Sequence, residues 1–218
     1  MAISFTELCI KHCPDGVRYQ KPLADFCIVH KLTNIIETGS GVSSLCLLQA
    51  LDKMDKGTLI SIDPFPFCQF EVTHPKYELI KKKSYQALAD LFIKDGPWDM
   101  FLHDSDHWIE CQTMEYEVAY ACVRPGGWIF SDDYEWDGHY AWAKFLEQYK
   151  LKPVVVGNIQ GVQKTSAFVI SKGIVKSFVK QVWEDAKVSG AKWRKENNRL
   201  PCNSCEDGFS EYWKYPYQ

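Results

Sequence analysis

The sequence predicts an α/β fold: an open, doubly wound sheet, mostly parallel, with an antiparallel last strand and helices added at both ends. Three observations predict it. Short β-rich runs alternate with helical patterns at βαβ spacing from residue 34 to about residue 150. The first run, Asn34-Ile35-Ile36-Glu37-Thr38, breaks into Gly39-Ser40-Gly41, and a helical pattern follows at once. The last two runs, 153–156 and 166–170, lie too close for a helical crossover, so they are expected to pair antiparallel.

The elements follow in order. Residues 3–30 read as two helices broken by Pro14-Asp15-Gly16. Residues 43–54 form a helix with Leu45, Leu48 and Leu51 on one side, and Asp55-Lys56-Gly57 turns the chain. Strand 58–62 ends at Asp63-Pro64. Helix 85–93 carries Leu88, Leu91 and Phe92 and stops at Gly96-Pro97. Met100-Phe101-Leu102 is a strand closed by His103-Asp104-Ser105-Asp106-His107, and 108–122 is helical. Arg124-Pro125-Gly126-Gly127 is a tight turn before the strand Trp128-Ile129-Phe130, which ends at Asp132-Asp133. Residues 140–149 and 175–188 are helices. With no repeat and no low-complexity linker, residues 1–218 read as one domain, its core at about 33–170 and a helix and tail over 171–218.

Composition narrows the function classes. A chain of 218 residues, 46% hydrophobic and 24% charged, buries a core without disulfides or metal. A net charge of −3 with no basic stripe argues against nucleic acid or an anionic membrane surface as partner, and Lys81-Lys82-Lys83 reads as a solvated face. The segment from Met1 to Glu7 lacks the basic and apolar parts of a secretory signal, and no run approaches a membrane span. Nine scattered cysteines, several inside apolar runs, fit a reducing, cytoplasmic setting. Cys9, Cys13, Cys202 and Cys205 are two weak half-sites for zinc; separate thiols are the preferred reading.

Ligands of open α/β sheets bind beyond the carboxyl ends of the strands. The loop from Glu37 to Gly41 sits there, followed by a helix N-terminus that favours an anionic group. Asp63, at the next strand end, is placed to accept hydrogen bonds from ribose hydroxyls. Ser44 stands where a dinucleotide fingerprint needs its third glycine, and no Gly-Lys-Ser/Thr follows as a phosphate loop would require. Glu37 would repel a pyrophosphate and suits a cationic ligand.

Ile36-Glu37-Thr38-Gly39-Ser40-Gly41-Val42-Ser43-Ser44 resembles motif I of the class I S-adenosylmethionine (SAM)-dependent methyltransferases, in the branch with a Gly-Ser-Gly-x-Ser-Thr loop. The run from Trp98 to His107 resembles that branch's fourth-strand motif. Arg124-Pro125-Gly126-Gly127 with Ser131-Asp132-Asp133 resembles its fifth-strand motif. The resemblance implies a Rossmann-like domain that binds SAM through Glu37, Gly39, Ser40, Gly41 and Ser43, with Asp63 on the ribose, Ser84 near the adenine and Asp104 beside the cofactor. Lys83 departs from the acid usual before Ser84.

Asp104, Asp132 and Asp133 fall at neighbouring strand ends, and clustered carboxylates repel unless a cation sits between them. The arrangement is similar to the catechol-type O-methyltransferases, which implies Mg²⁺ or another divalent cation held by these three, with a small-molecule hydroxyl as methyl acceptor. The other reading makes Asp104 and Asp132 helix and segment caps. His107 is the candidate base, with Asp104 and Asp106 beside it; the lysine of the catechol-type enzymes has no counterpart. Tyr134, Trp136, His139, Tyr140 and Trp142 are equally an acceptor wall or a packing cluster. Two alternatives stay open: a Rossmann-type oxidoreductase, which Ser44 and Glu37 oppose, and an inactive SAM-binding partner subunit. A homo-oligomer is left open.

Overall fold

A computed structural model of the chain describes residues 14–64, 74–105, 108–132 and 139–199. The element order is α1 (Pro14–His30), β1 (Asn34–Thr38), α2 (Val42–Lys53), β2 (Thr58–Ile62), β3 (Tyr77–Ile80), α3 (Ser84–Asp95), β4 (Trp98–His103), α4 (Ile109–Cys122) and β5 (Val123–Ser131). Then follow α5 (His139–Tyr149), β6 (Val154–Val156), β7 (Ile159–Gln163) and α6 (Val175–Glu196). The strands form one seven-stranded sheet in the order β3-β2-β1-β4-β5-β7-β6. The first five are parallel; β7 runs antiparallel to β5, and β6 to β7. The α/β expectation with antiparallel last pairings is met.

Period-two alternation along the strands sorts their side chains onto two faces. Ile35, Leu59, Met100, Leu102 and Phe130 pack with Leu23 and Cys27 of α1 and Leu47, Leu48 and Leu51 of α2. Ile36, Ile60, Phe101 and Ile129 pack on the other face with Leu88 and Phe92 of α3, Met114 and Val118 of α4, Trp142 of α5 and Val179 of α6. At the end of β1 the alternation continues with polar residues. Glu37 faces the α2 side and Thr38 the α4 side, both fully buried. The carboxyl ends of β1 and β4, where the strand order turns, meet at Gly39 and Asp104.

Pro14-Asp15-Gly16 opens α1, where a proline has no donor to lose; the helix expected before it lies outside the described residues. Three local readings need correction. β3 is a strand that the sequence reading missed, because Tyr77-Glu78-Leu79-Ile80 is only four residues long and lies at the sheet edge, where none of the four is fully buried. The partner of β6 is residues 159–163 rather than 166–170; Gly157-Asn158 makes a two-residue hairpin turn, with Gly157 at φ +66°. Arg124-Pro125-Gly126-Gly127 is built into β5 as an irregularity, between the pairs Trp98–Val123 and Met100–Trp128.

Candidate active site

The loop after β1 can exist only as glycine at its first position. Gly39 has φ +89°, and a Cβ there would lie 1.8 Å from the Asp104 carbonyl oxygen. The loops after β1 and β4 therefore touch backbone to backbone. Asp104 N–H bonds the Thr38 carbonyl (3.0 Å) between them, and Gly39 N–H bonds the Ile62 carbonyl at the end of β2 (2.9 Å). Gly41 differs: a Cβ there would meet nothing within 4 Å, so its surface faces open space beside the N-terminus of α2.

Glu37 anchors this loop from below. Its carboxyl accepts hydrogen bonds from Ser43 (3.1 Å), Ser44 and Ser61. Burial pushes the Glu37 pKa up to about 7, against the lowering effect of the serine hydroxyls. Ser44 also accepts the Gly41 N–H at 3.1 Å. Glu37 thus engages the serines of α2 and β2, rather than standing open toward a cationic ligand. Asp63 accepts the Ser40 N–H at 3.0 Å, and Ser40 Oγ pairs with the Tyr77 hydroxyl at 3.0 Å. Ser84 is the first residue of α3, two strands away on the same edge of the sheet. The structure brings Glu37, Gly39, Ser40, Gly41, Ser43 and Asp63 into one cluster.

The acceptor side opens where β4 and β5 end in register, His103 opposite Ser131. Asp104 and Asp132 follow those two residues, and the Asp132 N–H bonds the His103 carbonyl at 2.9 Å. Asp132 is buried and accepts from Gln20 Nε2 of α1 at 3.0 Å. Asp106, His107 and Asp133 lie outside the described residues, as do Tyr134, Trp136 and all four cysteines of the zinc reading. Among the described residues no three His, Cys, Asp or Glu side chains converge as a metal site. The described cysteines, Cys27, Cys46, Cys111 and Cys122, form no disulfide.

Sequence reasoning missed three supports. Glu115 of α4, fully buried, receives Thr38 Oγ1 and His103 Nδ1, each at 2.6 Å, beneath both loops. Glu110, in the first turn of α4, takes a two-pronged contact from Arg194 of α6, Nε to Oε1 at 2.8 Å and an Nη to Oε2 at 2.5 Å. The guanidinium lies 4.4 Å from the Trp108 ring centre, and Gly190 leaves the space that the Glu110 carboxyl occupies. Trp193 packs on Tyr140, so neighbouring residues of α6 hold the far ends of both acceptor-side loops. Only Gln20 offered even a faint signal, as a polar residue amid the apolar face of a helix. Trp142 belongs to the core, packed on Tyr116 and Phe145 with its indole N–H on Gln160.

A mostly parallel sheet with a glycine loop and an acid at adjacent strand ends is an open α/β architecture, whose ligands bind beyond the carboxyl ends of the strands. Residues 36–134 match the family model of a methyltransferase domain, a little under half of the chain. That stretch runs from β1 to the end of β5 and takes in both strand-end clusters, so it is this part of the chain that is similar to a methyltransferase domain.

Solved structures share the fold. MycE, a methyltransferase of the mycinamycin pathway in complex with Mg, S-adenosylhomocysteine and mycinamycin VI, has TM-score 0.54 and 17% identity over 69% of this chain. The chain spans about half of MycE's length, 49%. TomG from Streptomyces achromogenes, an O-methyltransferase of tomaymycin synthesis in complex with SAM, has TM-score 0.51 and 18% identity over 67% of this chain and 79% of its own. An O-methyltransferase from Bacillus cereus in complex with S-adenosylhomocysteine has TM-score 0.50 and 17% identity over 66% and 80%. No curated protein matches the sequence. Among the described residues no helix is long and apolar enough to cross a membrane.

Proposed function

We propose that the chain is an O-methyltransferase: it moves the methyl group of SAM to a hydroxyl oxygen of a small molecule, with a divalent cation at Asp104, Asp132 and Asp133. The observation that carries this is the backbone contact of Gly39 with Asp104. It supports this reading because the loop after β1 lies directly against the end of β4, whose neighbour in the sheet, β5, is followed by Asp132. A cofactor held on the first loop would have its methyl toward Asp104 and Asp132. The oxygen-rich donor set fits a hard cation, and MycE, of like fold, binds Mg.

In the transfer, the acceptor oxygen gives up its proton and forms the new C–O bond as the C–S bond breaks, leaving S-adenosylhomocysteine. A divalent cation, when bound, lowers the pKa of an acceptor hydroxyl. The residues of the chain do the rest. Gly41 and Ser40 shape the cofactor's seat, Asp63 stands where a ribose hydroxyl would donate, and Asp104 and Asp132 fix the acceptor's place. Much of the rate comes from holding the reactants in line. His107 follows Asp106 in the same loop and is assigned the acceptor proton.

The test is turnover in a screen of phenols, sugars and small metabolites, before and after EDTA. Activity should vanish in chelator and return with Mg²⁺ or Mn²⁺, and Asp132→Ala should abolish it while SAM affinity stays within a few fold. Full activity in excess chelator would leave the carboxylates as caps.

A further inference from the structure

The side chain of Gln20 in α1 reaches the end of β5, and it lies 112 positions from its partner Asp132. Its side chain is 8% exposed, and its two amide atoms have different fates. The nitrogen donates to the Asp132 carboxylate at 3.0 Å, which orients the amide: the oxygen is the other atom. That oxygen is buried with no hydrogen-bond partner. Leaving such an acceptor unsatisfied is destabilising, and the nitrogen's bond to Asp132 does not require it. A residue kept for packing alone would be apolar there, as Leu23, Ala24 and Cys27 are further along the helix.

We infer that Gln20 is a further member of the cation site, carried by the N-terminal helix: its amide nitrogen fixes Asp132 and its amide oxygen serves the divalent cation that Asp132 holds. The inference rests on the cation reading proposed above. Amide carbonyls and carboxylates are the donor types that hard divalent cations select, and a neutral oxygen beside the Asp132 carboxylate adds a ligand without adding repulsion. Gln20 lies outside the 36–134 methyltransferase match, so this ligand would come from the helical addition and not from the shared domain. The bound ion would also tie α1 to β5.

The test needs no acceptor. Mn²⁺ alone is titrated into the full chain, followed by electron paramagnetic resonance and calorimetry, for the wild type, Gln20→Ala, Gln20→Glu and Asp132→Ala. SAM affinity and melting temperature are measured on each as controls of folding. Wild type should bind one Mn²⁺ and Asp132→Ala none. Gln20→Ala should weaken binding about 10- to 100-fold. Gln20→Glu keeps an oxygen at the same place with a charge, and should bind Mn²⁺ at least as tightly as wild type. The signs decide the matter. If Gln20→Glu loses as much as Gln20→Ala, Gln20 is only a donor to Asp132 and the inference is overturned. If Gln20→Ala binds as wild type does, Gln20 has no part in the site, while the cation reading stands. If wild type binds no Mn²⁺ and Asp132→Ala changes nothing, the cation reading falls and takes this inference with it.

Discussion

The cofactor end of β1 and the acceptor ends of β4 and β5 are built on different plans. Around β1, the partners of Glu37 come from the next helix and the next strand: Ser43, Ser44 and Ser61. Around β4 and β5, two of the three supports come from far along the chain, and the third, Glu115, comes from the next helix. Gln20 of α1 reaches Asp132, Glu115 of α4 collects Thr38 and His103, and Arg194 of α6 holds Glu110 and Trp108. The Glu37 network lies within one βαβ unit. The acceptor side is an assembly, and two of its supports, Gln20 and Arg194, lie outside the stretch that matches the methyltransferase domain. On the proposed function, cofactor binding would rest on a short local sequence, and acceptor geometry in part on α1 and α6, outside the matched stretch.

That contrast can be broken at several points. The largest effect is expected at Gly39→Ala. A methyl group there meets the Asp104 carbonyl, and the backbone is left-handed, so neither rotation nor repacking relieves it. We expect a loss of about 3–5 kcal/mol in unfolding free energy and no measurable SAM binding, by urea titration and calorimetry. Gly41→Ala, with open space at its Cβ, should fold normally and change only ligand affinity.

Next comes the α6 clasp. Arg194→Met leaves Glu110, 2% exposed, as a buried charge without its guanidinium, which should cost about 3–5 kcal/mol. The double variant with Glu110→Met should recover most of that stability. SAM affinity should stay near wild type in the double variant, because the clasp lies on the acceptor side. A double variant as unstable as the single one would mean that the ion pair is not what joins α4 to α6.

Glu37 gives a smaller, pH-dependent effect. Its folded pKa, about 7, is raised above the ordinary value of 4.5 by burial. A raised folded pKa means the native state holds the proton more tightly than the unfolded chain. The stabilisation is therefore full below about pH 4.5 and is lost as pH rises through about 7. Against Glu37→Gln, which cannot titrate, the wild type should lose on the order of 3 kcal/mol of relative stability across that window. Thermal melts at pH 5 and pH 8 measure it; parallel pH profiles would contradict the protonated, serine-held carboxyl. Smallest is Asp63→Ala, which removes the Ser40 N–H partner and the ribose acceptor together. It should weaken SAM by about 1.5–3 kcal/mol in calorimetry, without a matching fall in melting temperature.

The same contrast explains what the sequence discloses. The glycine loop, Asp63 and the strand-end aspartates are legible because each sits at a fixed step from a β-rich run, and the sheet brings strand ends together whatever the details. The edge strand β3 is not legible, since it is only four residues long and none of the four is fully buried. The strand β7 is hard to read because Gly161 and two glutamines interrupt 159–163, while 166–170 ends in the apolar run Phe168-Val169-Ile170, although Gly157-Asn158 is a turn signal. Gln20, Glu115 and Arg194 look like ordinary helical polar residues in sequence. Their roles arise only when helices far apart in the chain are packed on the same strand ends, which is information held in tertiary contacts and not in local spacing.

Calorimetric titration of the wild-type chain with SAM, S-adenosylhomocysteine and NAD tests the central claim most directly. The Gly39–Gly41 loop, with Asp63 beside it and no third glycine at Ser44, predicts that SAM and S-adenosylhomocysteine bind in the micromolar range and NAD does not. Binding of NAD with no binding of SAM would contradict it.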